Sequence, residues 1–351
     1  MLYALGQLLE PVYGPFRLLR SHLFLAVVGL VACWYLSWKL LPLLAPALPA
    51  DRGREHAVGG DHAKGKPTGA GLLFVSIYLL VLLLVVPFDV KYLLAMACIL
   101  AAMLFGYFDD RATRPWSEYT KALIDLVLSV VAATGLWLFQ FRAAPVWLPL
   151  VKQFLYVGPI PFVVTATALI WLVINAVNCT DGVDGLSGTL SILALLSLGV
   201  LLAFVVGHAV FAHYFLLPHY PDGARWAIMA FAMVGSLCGY LWHNAYPSSL
   251  LMGDAGSRAL GLLIGILVIA TGNPFISLTV AAVVLVNGGT GLIKVALLRF
   301  FRIGIFHDVR FPLHDHYRHK WGWSNTQVLM RFAIVQSLLT IVLLVVLVKI
   351  R

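Results

Sequence analysis

The chain has 351 residues, of which 61% are hydrophobic and 11% charged, against about 25% charged residues in an ordinary soluble domain. That balance excludes a water-soluble globular protein and defines an integral membrane protein. The formal net charge of +9 would suit a nucleic-acid binder, but the Lys and Arg residues are scattered over many short loops, so no nucleic-acid partner is expected. A bias of basic loops toward one membrane side accounts for the charge instead.

Apolar runs of the roughly 17–25 residues that a helix needs to cross the hydrocarbon recur along the chain, without the alternating pattern of a barrel. After an amphipathic start over 1–21, spans are expected at 22–44, 69–87, 91–108, 121–141, 161–178, 185–206, 225–243, 259–271, 275–298 and 324–349. Arg17 and Arg20 precede the first span, but no small-residue cleavage pattern follows, so that helix is read as retained. The span at 259–271 is short and stops at the turn signal Thr271-Gly272-Asn273-Pro274.

The fold class is therefore an all-α polytopic membrane protein of about ten transmembrane helices in one domain, 1–351. Alternating the spans puts loops 46–68, 109–121, 178–185, 244–258 and 294–323 on one side, and these hold most of the Lys and Arg residues. By the positive-inside rule that side is cytoplasmic, so the chain is assigned to the bilayer of a cytoplasmic membrane. The outer loop 142–161, with its Gly158-Pro159 turn, suggests a short hairpin. Cys33, Cys98, Cys179 and Cys238 lie in or beside apolar runs with no metal-ligand spacing and read as core residues.

Six of the 15 acidic residues fall at the cytoplasmic helix ends: Asp109, Asp110, Asp181, Asp184, Asp254 and Asp315. A carboxylate at membrane depth is costly and normally faces a water-filled cavity, a partner or a metal. Together they describe a hard-cation site, since Mg²⁺ is held through one or two carboxylates plus substrate phosphates. Adjacent helical residues point about 100° apart, so Asp109 and Asp110 cannot both ligate one ion without local unwinding.

Several of these residues carry two readings. Asp184 is an N-cap or a ligand, Asn175 an interhelical hydrogen-bonding group or a substrate contact, and Lys121 a phosphate binder or a snorkelling cation. His314 and His316, beside cations, could grip phosphate or bind zinc, although cysteine partners for a structural zinc site are missing. Lys64 and Lys66, with glycines around Thr68, offer an anion cations and a flexible backbone.

Asn178-Cys179-Thr180-Asp181-Gly182-Val183-Asp184-Gly185-Leu186 and Asn244-Ala245-Tyr246-Pro247 running to Met252-Gly253-Asp254-Ala255-Gly256-Ser257, with Asp109-Asp110 and Pro67-Thr68, resemble signature segments of the polyprenyl-phosphate hexosamine-1-phosphate transferase superfamily. The likeness covers nearly the whole chain and is greatest to its phospho-N-acetylmuramoyl-pentapeptide transferases.

It implies transfer of phospho-MurNAc-pentapeptide from UDP-MurNAc-pentapeptide to undecaprenyl phosphate, with Mg²⁺, giving lipid I and UMP for the peptidoglycan cell wall, in a homodimer of the bacterial inner membrane. It further implies that Asp254 is the chief metal ligand, with Asp181 and Asp110 on the metal side, and that Asp109 serves the attacking lipid phosphate beside Asp110. Asn178, Asp181 and Asp184 would shape the nucleoside side. Thr68, Lys64, Lys66, Lys121, Asn175, Asn244, His314 and His316 would hold phosphates or orient carboxylates, and Met252 would line the approach.

The chain departs from the family pattern at four places. Asp315 replaces the central histidine of a three-histidine motif, and Arg318 replaces the glutamate beyond it. Ala63 stands where the family has a lysine, and Gly69-Ala70 where it has Met-Gly. Two alternatives share parts of these features: a sister enzyme transferring GlcNAc-1-phosphate to the same lipid, and an ion-coupled transporter. A transporter would place its acids near the midplane within repeats; here the acids lie at helix ends and no repeat is present.

Overall fold

Lipid supplies no hydrogen-bond partners, so each spanning segment must satisfy its own backbone, and the apolar runs accordingly form helices. The structure, a computed structural model, describes residues 1–53 and 63–349. Residues 54–62 of the expected polar loop lie outside the described residues.

A short helix α1 (Leu2–Leu9) leads to α2 (His22–Leu44), α3 (Gly71–Val85), α4 (Val90–Arg111) and α5 (Glu118–Leu136), the last running on through a π turn to Phe141. Ser21, Asp89 and Ser117 start α2, α4 and α5 by accepting from first-turn amides, the usual service of an N-cap side chain. Next come α6 (Pro159–Thr180), α7 (Leu186–Val200), the six-residue α8 (Ala209–Tyr214), α9 (Gly223–Asn244) and α10 (Gly253–Ala270). The chain closes with α11 (Ser277–Val280), α12 (Ala282–Val284), α13 (Thr290–Phe301), α14 (Leu313–Trp321) and α15 (Asn325–Lys349).

Among the described residues nine helical segments are long and apolar enough to cross a membrane, with Gly71–Val85 as a shorter apolar helix. The expected ten spans are therefore present. The outer loop carries a single antiparallel bridge, Val146 to Leu155, closed by reciprocal backbone hydrogen bonds of 2.8 and 3.0 Å. At the same end as that bridge, Lys91 is buried against Asp222 and Asp89, tying α4 to the start of α9.

Helix α10 is the axis of the bundle, in contact with α3, α4, α5, α6, α7 and α9. Every one of its residues is buried except Asp254. Its contact with α6 is backbone-close: a Cβ on Gly261 would lie 2.5 Å from the Ile174 Cα, and one on Gly265 3.0 Å from the Ile170 Cα. Such small-residue seams let membrane helices pack where no hydrophobic drive between them exists.

Two expected boundaries move. Helix α10 starts at Gly253 rather than near 259, so Asp254 stands in its first turn and not in a polar loop. The span expected over 275–298 is broken: α11 ends at Ala281 (φ −124°, ψ 21°) and α12 passes into a π turn over Leu285–Gly289. The break is bridged from α15, where the buried Gln336 accepts from the Val283 amide (2.8 Å) and donates to the Thr279 carbonyl (2.9 Å). Gln336→Leu should therefore lower stability by about 1–3 kcal/mol, the cost of stranding a buried backbone donor. The measurement is thermal unfolding in detergent, and an unchanged melting temperature would remove the clamp from the account.

Candidate active site

Polar residues collect at one end of the bundle, where α4 and α6 finish and α5, α7 and α10 begin. Helix α4 runs on to Arg111, so Asp109 and Asp110 are both helical and diverge as the helical period demands. The Asp110 carboxylate turns to α10, one oxygen accepting from the Asp254 amide (3.0 Å) and the other from the Ala255 amide (3.1 Å). It is an N-cap delivered from another helix, and it satisfies donors that no local side chain of α10 reaches. Asp109 faces the other way, accepting from the Trp116 amide (2.7 Å) and from the Lys121 ammonium.

Two close approaches fix this corner. A Cβ on Gly106 of α4 would lie 2.5 Å from the Ala255 nitrogen, and a Cβ on Gly71 of α3 would lie 2.5 Å from the Ala255 carbonyl carbon. Both helices thus meet the first turn of α10 backbone to backbone, and only glycine leaves room for it.

The Asp254 side chain is 23% exposed. Its Oδ2 accepts from Lys121 Nζ (3.1 Å) and Arg258 Nε (3.2 Å), and its Oδ1 from Asn178 Nδ2 (3.0 Å). Asn178 also donates to Ser257 Oγ (2.9 Å), locking the end of α6 onto α10. Arg258 continues to the fully buried Asp125 of α5. The result is an alternating row: Asp109, Lys121, Asp254, Arg258, Asp125. Alternation is what makes buried charges tolerable at membrane depth.

Asp109 and Asp254 converge on a single positive atom, Lys121 Nζ. Two carboxylates around one point are the kind of hard-oxygen donors that a divalent cation takes together with phosphate and water. Among the described residues no group of three or more His, Cys, Asp or Glu residues is assembled to hold an ion unaided.

The other expected site residues fall into two neighbouring groups. In the first, Asn244 is buried and staples the turn, accepting from the Gly185 amide (2.8 Å) and donating to the Leu250 carbonyl (2.8 Å). Asp184 accepts from the Ser248 amide (3.2 Å), and Lys66 donates to Ser248 Oγ (3.0 Å). Segment 67–71 runs beside 251–252 through backbone bonds, which buries Thr68 next to this turn. In the second, His314 is buried against Gly182, where a Cβ would lie 2.9 Å from the ring Cε1. Its backbone amide donates to Asn287 Oδ1 (2.9 Å), and Asn287 donates to Thr180 Oγ1 (3.0 Å).

The remaining members are more dispersed. Asp181 caps the end of α6 and is half-buried. His316 accepts from the Arg310 amide at 3.3 Å. Asn175 turns back to the Trp171 carbonyl (2.9 Å) within its own helix. Met252 is buried, packing inward, and Lys64 is exposed on the loop.

Sequence reasoning missed Asp125, Arg258, Ser257 and Asn287. A signal existed for the first two: an Asp inside an apolar span and an Arg one turn after Asp254 each require a buried partner. The departures at 315 and 318 also resolve each other, since Arg318 bonds Asp315 at 3.3 Å.

Residues 92–272 match the family described as "Glycosyl transferase family 4", and fold and site together define a multi-pass membrane transferase of that class. The relatives narrow it further. The chain is 48% identical over 344 residues, 98% of its length and 95% of the relative's, to the phospho-N-acetylmuramoyl-pentapeptide-transferase of Treponema pallidum strain Nichols. It is 31% identical over 293 residues, 81% of each chain, to that of Campylobacter curvus, and 29% identical over 274 residues, 76% of each, to that of Campylobacter jejuni serotype O:6. The chain belongs to the phospho-N-acetylmuramoyl-pentapeptide-transferase family.

Proposed function

We propose that the protein transfers phospho-MurNAc-pentapeptide from UDP-MurNAc-pentapeptide to undecaprenyl phosphate, forming lipid I and UMP in peptidoglycan synthesis. The observation that carries the reading is the meeting of Asp109 and Asp254 on one cationic point at the helix ends, inside a chain of this family. The helix ends at the membrane surface are where a lipid phosphate and a water-soluble nucleotide sugar can meet. The bias of basic loops toward that side supports a cytoplasmic orientation, and the reading takes the protein as a single inner-membrane domain working in a homodimer.

The lipid phosphate attacks directly. One of its oxygens bonds to the phosphorus that carries the sugar, the bond from that phosphorus to the UMP oxygen breaks, and UMP departs with the electron pair. Mg²⁺, when bound, neutralises charge on the pyrophosphate as that bond breaks. Asp254, held by Asn178, is its chief ligand, with Asp181 on the metal side; Asp110 serves the same site by fixing the α10 backbone.

Asp109 accepts any proton the lipid phosphate carries and aligns Lys121, whose ammonium passes from carboxylate to phosphate. Lys64 and Lys66 attract the substrate's anionic groups toward Thr68. His314 and His316 stand on the nucleotide side with Asp184 and Asn175, which shape the walls, and with the buried Asn244 and Met252, which support those walls from behind.

Purified protein with undecaprenyl phosphate should release UMP from UDP-MurNAc-pentapeptide and not from UDP-GlcNAc. EDTA should stop the release and excess Mg²⁺ restore it. Release from UDP-GlcNAc alone would transfer the chain to the sister activity, and release that persists in EDTA would remove the metal.

A further inference from the structure

Every carboxylate oxygen that lines the cation point is already engaged. Asp109 has Trp116 and Lys121; Asp110 has two α10 amides; Asp254 has Asn178 on Oδ1 and both Lys121 and Arg258 on Oδ2. Lys121 Nζ stands at the point where Asp109 and Asp254 converge, and Arg258 holds the same Asp254 oxygen, so a divalent cation entering between the two carboxylates meets cations that belong to the protein.

The two cations on Oδ2 differ in freedom. The Lys121 side chain is 22% exposed and ends a flexible stem, and it shares its ammonium with Asp109. The Arg258 side chain is 7% exposed and is anchored by Asp125, whose side chain is 1% exposed. Swinging Arg258 away would strand Asp125 as an unpaired charge in the bundle. Lys121 can leave at far less cost, provided another anion receives it. A substrate pyrophosphate is such an anion, and it also brings oxygen ligands for the incoming ion.

We infer that the Asp125–Arg258 pair is a fixed counter-charge that keeps Asp254 neutralised, so that the divalent cation enters together with the pyrophosphate of the nucleotide and not before it. Asp125 and Arg258 are positioning residues here: Arg258 acts on the ion through Asp254, and Asp125 acts through Arg258. The inference rests on the proposed metal role of Asp254 and specifies the order in which that site fills.

The test uses the full chain in detergent and Mn²⁺, counted by electron paramagnetic resonance, with and without UDP as the pyrophosphate probe. Wild type should bind Mn²⁺ at least about tenfold more tightly with UDP than without it, the scale of one charge-assisted hydrogen bond exchanged. The double substitution Asp125→Leu with Arg258→Leu removes the pair together and so leaves no stranded charge. It should bind Mn²⁺ without UDP and shrink the difference to about threefold or less, with the melting temperature retained. Asp125→Asn with Arg258→Gln provides the same readout if the leucine pair does not fold.

Equal Mn²⁺ affinity with and without UDP in wild type would overturn the inference, as would a difference unchanged in the folded double variant. Absence of Mn²⁺ binding even with UDP would instead sink the metal role of Asp254 itself.

Discussion

Asp254→Asn should reduce UMP release by about a thousandfold, the scale on which a lost electrostatic contact to a transferring phosphoryl group is felt. The substitution keeps the shape of the side chain and its place in the first turn of α10, but replaces a full anion by a neutral amide. Arg258 retains Asp125 and Lys121 retains Asp109, so neither cation is stranded and the fold should persist. The loss should appear mainly in kcat, because the interaction is strongest as the pyrophosphate bond breaks. Activity within tenfold of wild type, in protein with an unchanged melting temperature, would show that the carboxylate is not the one that handles the ion.

Gly71→Ala is expected to be the most damaging single-methyl change near the site, at about 3 kcal/mol or more. The added Cβ would meet the backbone of Ala255 and Gly256, and main chain cannot rotate aside as a side chain can. Helix α3 would have to retreat from α10, dragging Thr68 and the 67–71 segment with it. Gly14→Ala is the matched control, since a Cβ there meets nothing within 4 Å. The comparison is thermal unfolding of the two variants in one detergent; equal melting temperatures would show that α3 and α10 have slack at this contact.

Much of the bundle is legible in the sequence because membrane spans are announced by length and apolarity alone. The first boundary, His22–Leu44, and the one-sided set of acids follow from local composition. What escaped local reading is held by long-range partners. The start of α10 lacks a cap signal in its own segment because the cap is Asp110, 144 positions away. Asp125 sits within an apolar run, so sorting acids by helix ends passes over it, and Arg258 reads as a loop cation because the span is expected from 259 whereas α10 begins at Gly253. Met252 reads as a lining residue beside Gly253-Asp254, yet its side chain fills the space against Gly256. The break in the penultimate span is equally non-local, since Gln336 of α15 supplies the bonds that the interrupted helix lacks.

The altered motif at 314–316 illustrates how two departures can be one. Taken singly, an aspartate in place of the central histidine and an arginine in place of the later glutamate each reverse a local charge. In α14 they lie one turn apart and bond each other, an i, i+3 pair of the kind that neighbouring helical positions favour. The flanking His314 keeps its buried seat against Gly182 regardless.

The cap that Asp110 lends to α10 also sets a timetable for biogenesis. Helix α4 leaves the ribosome long before α10, carrying a carboxylate that has no amide to receive it. Until α10 arrives, that acid must stay near water at the membrane surface, and α10 in turn cannot close its first turn alone. This corner is therefore completed late in synthesis, when two distant parts of the chain meet, and a chain interrupted before Gly253 would lack the helix around which the earlier spans pack and, with it, the candidate site.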